Sequence, residues 1–302
     1  MFFIRFSRLQ KLSPPRIFLR KFSRPADCPH TESGEKRPYN TPDCSKVIVV
    51  GGTGAVGLAT ATQLLCSKAS HIALIDTDTC KGRDAVYSLN CAFGKGKAVF
   101  IKADVTNKCE IHDALRRARS EFKKIDAIVN AFGVWNGKKW EEEIQVNLVG
   151  TINVNEYASQ IISNPKGFVL NIIGLPGIEI FSPSPTIGAT NLAVVAYTQA
   201  RGHERNECIS GIRTVALCCG VTESNFSKGV ESKTCCPQTG NDLKKYLEEE
   251  ACWQKPEVVA KAVVEVLKFA PSGTVWVVEG SRLFSLKWPD SKTFRTLENQ
   301  FI

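Results

Sequence analysis

From Val47 onward, short apolar runs recur along the chain at intervals that leave room for a helix between them. Val47-Ile48-Val49-Val50 contains no polar position, which is how a strand buried on both faces reads. His71-Ile72-Ala73-Leu74-Ile75 repeats the pattern, and further strands are expected at 99–102, 127–129, 168–173, 213–217 and 274–278. Helical periodicity fills the gaps at 58–67, 108–122, 142–163, 190–204 and 256–269, the last opening on Pro256. Seven strands alternating with helices predict a single α/β domain over 46–280, built on a doubly wound parallel sheet. Residues 23–45, rich in Pro and polar side chains, read as a linker, and 281–302 as a C-terminal tail. In that tail Phe284, Trp288, Phe294 and Phe301 are expected to pack on a partner subunit or to cover the sheet.

Composition adds exclusions more than identity. With 43% hydrophobic and 23% charged residues among 302, and 22 Gly and 14 Pro, the chain is neither disordered, collagen-like nor a coiled coil. No run reaches 18 uncharged apolar residues, so no transmembrane helix is expected. The net charge of +9 points to nucleic acid or an anionic surface until its location is considered. Arg5, Arg8, Lys11, Arg16, Arg20 and Lys21 precede the first acid, Asp27, and apolar residues are interleaved with them. That is the composition of a mitochondrial transit peptide over 1–22, and Arg20-Lys21-Phe22-Ser23 resembles a matrix-protease site cut after Phe22. Removing those six charges leaves +3. The expected address is therefore the mitochondrial matrix, or the cytoplasm if 1–22 is instead a basic arm for phosphate or lipid. Nucleic acid is then not an expected partner, since +3 is modest and no RNA-binding motif occurs.

Twelve Cys are scattered, apart from the adjacent pairs Cys218-Cys219 and Cys235-Cys236, with no C-x-x-C. The four His form no metal-ligand spacing with one another, so no metal is expected and the thiols read as small apolar residues.

Chemistry enters with Gly52-Thr53-Gly54-Ala55-Val56-Gly57, a G-x-G-x-x-G between a buried strand and a helix, with Gly51 before it. The glycines permit a tight turn and close backbone approach to a pyrophosphate, and the helix N-terminus offers unpaired N–H groups and a positive dipole end. Asp76, 19 residues after Gly57 at the end of the second strand, is placed to accept the adenosine ribose hydroxyls and to repel a 2′-phosphate. The expected architecture is thus Rossmann-like, with NAD preferred over NADP.

The order of these features resembles the short-chain dehydrogenase/reductase family, in particular its branch of insect-type alcohol dehydrogenases and 15-hydroxyprostaglandin dehydrogenases. Asp104-Val105 stands where the family holds the adenine ring, and Asn130-Ala131-Phe132-Gly133 resembles its N-N-A-G segment, with Phe132 a departure. Gln145-Val146-Asn147-Leu148 resembles the segment of the catalytic Asn, matched by Asn147. Cys219-Gly220 takes the place of a Pro-Gly pair beside the nicotinamide, and Ser224 that of a hydroxyl on the carboxamide. The resemblance also implies a variable substrate lid at 226–255 with a helix over 241–252, and a homodimer or homotetramer through the helices at 142–163 and 190–204. The implied ligand is a small alcohol or carbonyl compound.

The family's reaction needs a Tyr, a Lys four residues later on the same helix face that lowers the Tyr pKa, and a Ser on the fifth strand. None of the five Tyr has a Lys four residues on. Register set from Asn171-Ile172-Ile173-Gly174-Leu175-Pro176-Gly177 puts the family Ser on Gly174, the Tyr on Ile187 and the Lys on Asn191. Asn147 alone remains of the four. Tyr197-x-x-x-Arg201 lies ten residues after Ile187, displaced by roughly 15 Å along a helix, and Arg cannot join a proton relay. The expectation is an NAD(H)-binding protein with weakened cofactor affinity and impaired catalysis, acting as a regulatory, scaffolding or dimer-partner protein. Asn191 is expected still to hydrogen-bond a ribose hydroxyl. The competing expectations are an oxidoreductase with non-standard residues and, on charge alone, a nucleic-acid accessory protein.

Overall fold

The computed structural model describes residues 38–163, 166–175, 178 and 181–287. The expected leader, most of the linker, Pro176, Gly177, Trp288, Phe294 and Phe301 lie outside the described residues.

The apolar runs form the strands expected of them: β1 (Lys46–Val50), β2 (His71–Asp76), β3 (Ala98–Lys102), β4 (Ala127–Asn130), β5 (Gly167–Gly174), β6 (Ile212–Cys219) and β7 (Val275–Glu279). All seven pair in parallel, and an eighth strand, β8 (Arg282–Leu286), closes the edge antiparallel to β7. The order is β3-β2-β1-β4-β5-β6-β7-β8, so the chain runs outward from β1 through β2 and β3, crosses back to β4 on the other side, and opens a crevice between β1 and β4. β8 corrects the expected tail: Gly280 and Ser281 both take positive φ, forming the tight two-residue turn of a hairpin. Phe284, opposite Val277, covers the sheet.

Burial on both faces follows from alternation within each strand. Val47 and Val49 point into one core with Leu64 and Leu65 of α1 (Ala55–Cys66). Val263 and Leu267 of α9 (Pro256–Phe269) complete that layer. Ile48 and Val50 point into the other, with Ile111 and Leu115 of α3 (Lys108–Phe122) and Val154 and Ile161 of α5 (Thr151–Ile161). All of these side chains are buried.

Four helical stretches depart from the sequence expectation. α2 (Thr79–Phe93), capped by Asp78, was not foreseen. The helix expected at 142–163 begins as α4 (Trp140–Glu143), widens into a π-helical stretch over Ile144–Gly150 and continues as α5. The one expected at 190–204 is α6 (Pro185–Arg201), opened by Pro185, with α7 (Glu204–Ser210) separate from it. In the lid region, α8 (Pro237–Lys245) starts earlier than expected and passes into a π turn at Tyr246–Glu250. Among the described residues, no helix is long and apolar enough to cross a membrane.

Candidate functional site

A cleft of about 720 Å³ lies over the crevice, at the carboxyl ends of β1, β2, β4, β5 and β6. Its volume falls within the ordinary range for small-molecule sites. One half is made by the glycine loop. Gly51 sits at φ +76°, and its N–H donates to the Ile75 carbonyl. A Cβ on Gly57 would stand 2.1 Å from the Gly51 carbonyl oxygen, so only glycine lets α1 start this close under the loop. No side chain caps the N-terminus of α1, and Thr53, Gly54, Ala55 and Val56 line the cleft there. Asp76 Oδ2 accepts from Thr53 N (3.0 Å) and Thr53 Oγ1 (2.6 Å), while Oδ1 accepts from Thr77 N (2.7 Å). The carboxylate is thereby held at the rim beside the loop. A cradle that any Cβ would fill, an uncapped helix start and a carboxylate on the neighbouring strand fit a dinucleotide.

Of the residues expected at the site, Thr53, Gly54, Val56, Asp76, Ala131, Gly133, Asn147, Gly174, Ile187, Asn191 and Ser224 come together in the cleft wall. Gly52 and Gly57 act from behind the loop. Asp104, Val105 and Asn130 are not in the wall, and each has a reason. Asp104 Oδ1 is turned onto Thr106 N (2.8 Å) and Thr106 Oγ1 (2.7 Å), part of the entry to α3 where Glu110 accepts from Asp104 N. Val105 is buried against Gly150, and the Phe132 ring, packed on the same glycine, faces the cleft in its stead. Asn130 points beneath the sheet end, donating to Asn171 Oδ1 at 2.8 Å.

The other half is where a proton relay would stand. Gly174 ends β5, and Ile187 and Asn191 lie one turn apart on α6, so the three positions do converge. None supplies the chemistry. Ile187 is 2% exposed and packs with Trp135, Val230, Leu243 and Leu247. Asn191 Nδ2 donates to the Gly174 carbonyl at 3.3 Å. Asn147 is retained, but its amide is spent on the backbone of Val134, accepting from N and donating to O, both at 2.8 Å. Its own carbonyl, within the π-helical stretch, accepts from Thr151 Oγ1 at 2.7 Å. Tyr197 is no substitute: it is not in the cleft wall, and its hydroxyl donates to Glu156 Oε1 at 2.8 Å. Burial, and then that carboxylate, push its phenol well above the ordinary range.

Sequence reasoning missed an aromatic wall. Trp135, Phe181, Phe226 and Tyr246 come from four segments and meet with ring centroids 5.4–6.0 Å apart. Trp135 Nε1 donates to buried Ser184 Oγ (2.9 Å), which fixes the indole. No periodicity links these positions, so only the folded chain reveals them.

A family model described as short chain dehydrogenase matches residues 45–234. The chain is 30% identical over 190 residues to 15-hydroxyprostaglandin dehydrogenase [NAD(+)] of Bos taurus, covering 62% of this chain and 71% of that protein. It is 29% identical over 238 residues to Alcohol dehydrogenase 2 of Ceratitis cosyra, covering 76% and 90%. In fold it is similar to the crystal structure of levodione reductase, with a TM-score of 0.69 at 18% identity over 79% of this chain and 97% of that one. A short chain dehydrogenase from Burkholderia cenocepacia in complex with NADP gives 0.67 at 18% identity, over 80% and 98%. With the glycine cradle, the carboxylate of Asp76 and the strand order, these matches place the chain in the short chain dehydrogenase family, an NAD(P)-binding Rossmann fold among oxidoreductases.

Proposed function

We propose that this chain binds NAD(H) in its glycine-loop half and does not carry out the family's hydride transfer, serving as a regulatory, scaffolding or dimer-partner protein. The observation that carries the reading is Ile187, buried in an apolar cluster at the position that should present a phenol. A bound dinucleotide would supply hydride chemistry; this chain's residues would have to move the proton. Gly174 has no hydroxyl, and Asn147 and Asn191 hold backbone groups. Loss of a general acid–base alone lowers a rate by about 10²–10⁴, and here its activator and the orienting hydroxyl are absent too. Asp76 supports NAD over NADP, because a carboxylate repels a 2′-phosphate. Without a Lys on α6, one cation that would face the cofactor is gone, so affinity is expected to be weakened. The basic leader supports a mitochondrial address, and the helices α5 and α6 are the surfaces proposed for self-association.

Titration calorimetry with NADH and NADPH, followed by turnover with a panel of secondary alcohols and NAD, tests this reading. Expected are binding of NADH ahead of NADPH and no turnover. Turnover in the ordinary enzyme range, about 1–10³ s⁻¹, would refute it, as would absence of NADH binding up to millimolar. One observation favours a second reading: Tyr246 puts a phenol in the cleft wall. If turnover is found and Tyr246→Phe abolishes it, the chain is an oxidoreductase with a relocated acid.

A further inference from the structure

The cleft that holds the aromatic wall also holds a lysine that makes no ion pair among the described residues. Among the described residues, the cations lining the cleft are Lys81, Lys139 and Lys233. Lys81 pairs with Asp78 at 3.1 Å and Lys139 with Glu142 at 3.7 Å. Lys233 ends the short 3₁₀ turn Val230–Lys233, is half-buried, and among the described residues makes neither ion pair nor side-chain hydrogen bond. Its position is fixed from two sides. Val230, three residues before it, is buried in the cluster with Ile187 and Trp135. Lys138 Nζ donates to the Ser232 carbonyl at 2.8 Å, and the Gly137 turn packs against the backbone carbonyl of Lys233. The lid segment and the turn after β4 are thus tied together, and this tie fixes the backbone of Lys233 in the same cleft wall as the aromatic rings.

A half-buried ammonium gives up part of its hydration, and an aromatic wall recognises no charge by itself. The two together select a ligand with a flat apolar body and an anionic end. We propose that the reaction half of the cleft is a binding site for an aromatic or similarly flat apolar carboxylate, with the body against Trp135, Phe181, Phe226 and Tyr246 and the carboxylate on Lys233. This rests on the preceding reading insofar as the ligand is held and not transformed. It adds the ligand's class.

The test compares 2-naphthoate with its neutral counterpart 2-naphthylmethanol on the full chain, by calorimetry and quenching of tryptophan fluorescence. Naphthoate is expected to bind about tenfold more tightly than the alcohol, the size of one charge-assisted hydrogen bond. Lys233→Met should bring the two probes within about twofold, Lys233→Arg should retain the preference, and Trp135→Phe should weaken both probes equally. Equal binding of the two probes, an unchanged ratio in Lys233→Met, or no binding of either up to millimolar overturns the proposal. Displacement of naphthoate by ADP-ribose also overturns it, because the anion would then sit at the start of α1. The outcome is separable from the cofactor reading. A naphthoate preference without NADH binding removes only the latter, and NADH binding without the preference removes only the former.

Discussion

Replacing Asn171 with leucine removes the centre of a buried polar network that joins the sheet to two helices beneath the cleft. Asn171 is 1% exposed. Its Oδ1 accepts from Asn130 Nδ2 (2.8 Å) and Asn155 Nδ2 (3.0 Å), and its Nδ2 donates to Thr198 Oγ1 (2.8 Å). Asn155 keeps its bond to the Thr151 carbonyl. Asn130 fares worse, because its Oδ1 already has no partner and its amide would then be wholly unsatisfied. Thr198, 0% exposed, would lose its donor. Each orphaned buried group costs about 1–3 kcal/mol, so two cost about 2–6. Leucine's apolar surface returns about 1–2 kcal/mol. The expected net loss is about 3 kcal/mol, a fall in melting temperature of roughly 6–12 °C for a domain of this size. Equilibrium urea unfolding of Asn171→Leu, Asn130→Ala and the double variant measures it. In the double variant the orphaned amide is gone, so a coupling of at least about 1 kcal/mol is expected between the two sites. A single-variant loss below about 1 kcal/mol, or strictly additive losses, would show that the network does not carry this load.

Gly57→Ala places a Cβ 2.1 Å from the Gly51 carbonyl oxygen, whereas the same change at Gly54 meets nothing closer than 3.4 Å. The first should cost about 1–3 kcal/mol and at least tenfold in NADH affinity by calorimetry; equal effects at the two positions would contradict the cradle described. Glu143 is fully buried and its Oε1 accepts from Asn136 N, but its Oε2 has no partner, and burial raises its carboxyl above the ordinary range. A raised folded-state pKa means the stabilisation is complete below the unfolded value and is lost as pH rises through the folded one. Glu143→Gln should therefore be the more stable protein at pH 8 and flatten the pH dependence above pH 5. A parallel pair of urea-midpoint curves against pH would disprove this.

Legibility in the sequence divided along physical lines. Strands buried on both faces write themselves as uninterrupted apolar runs, so β1 and β2 were visible in Val47–Val50 and His71–Ile75. The helix α2 was not, because its outer face is polar and a glycine interrupts it. That glycine, Gly82, is there because the Phe100 ring would stand 2.3 Å from any Cβ. β8 was hidden for another reason: an edge strand pairs on one side only, and Arg282–Leu286 shows a weak apolar pattern. In the site, motif residues whose part lies in their backbone, such as Gly51 and Gly54, line the cleft. Those whose side chains can turn elsewhere, Asp104 and Asn130, found partners outside the cleft. The aromatic wall and Lys233 were illegible because the turn after β4, the segment before α6 and three separated positions of the 226–255 region come together only in the folded chain.

On the proposed reading, the same division explains how one half of the cleft could lose the family's chemistry while the other kept its form, and it makes a prediction about putting the chemistry back. The glycine loop is part of the packing of α1 on β1, so changing it disturbs the fold. The relay positions carry only side chains. At 187 an apolar group surrounded by Trp135, Val230, Leu243 and Leu247 is what the packing itself prefers. Restoring Gly174→Ser, Ile187→Tyr and Asn191→Lys together should therefore destabilise the free protein. The phenol overfills a site that is 2% exposed, for about 1–3 kcal/mol, and the ammonium enters a position that is 4% exposed. NADH should recover part of the loss, because a ligand that binds only the folded state stabilises it in proportion to its occupancy. Thermal unfolding of the triple variant with and without NADH, alongside NAD-linked oxidation of secondary alcohols, reads both effects. If the triple variant matches the parent's melting temperature and gains no activity, Ile187 and Asn191 are not the relay positions and the register drawn through α6 is wrong.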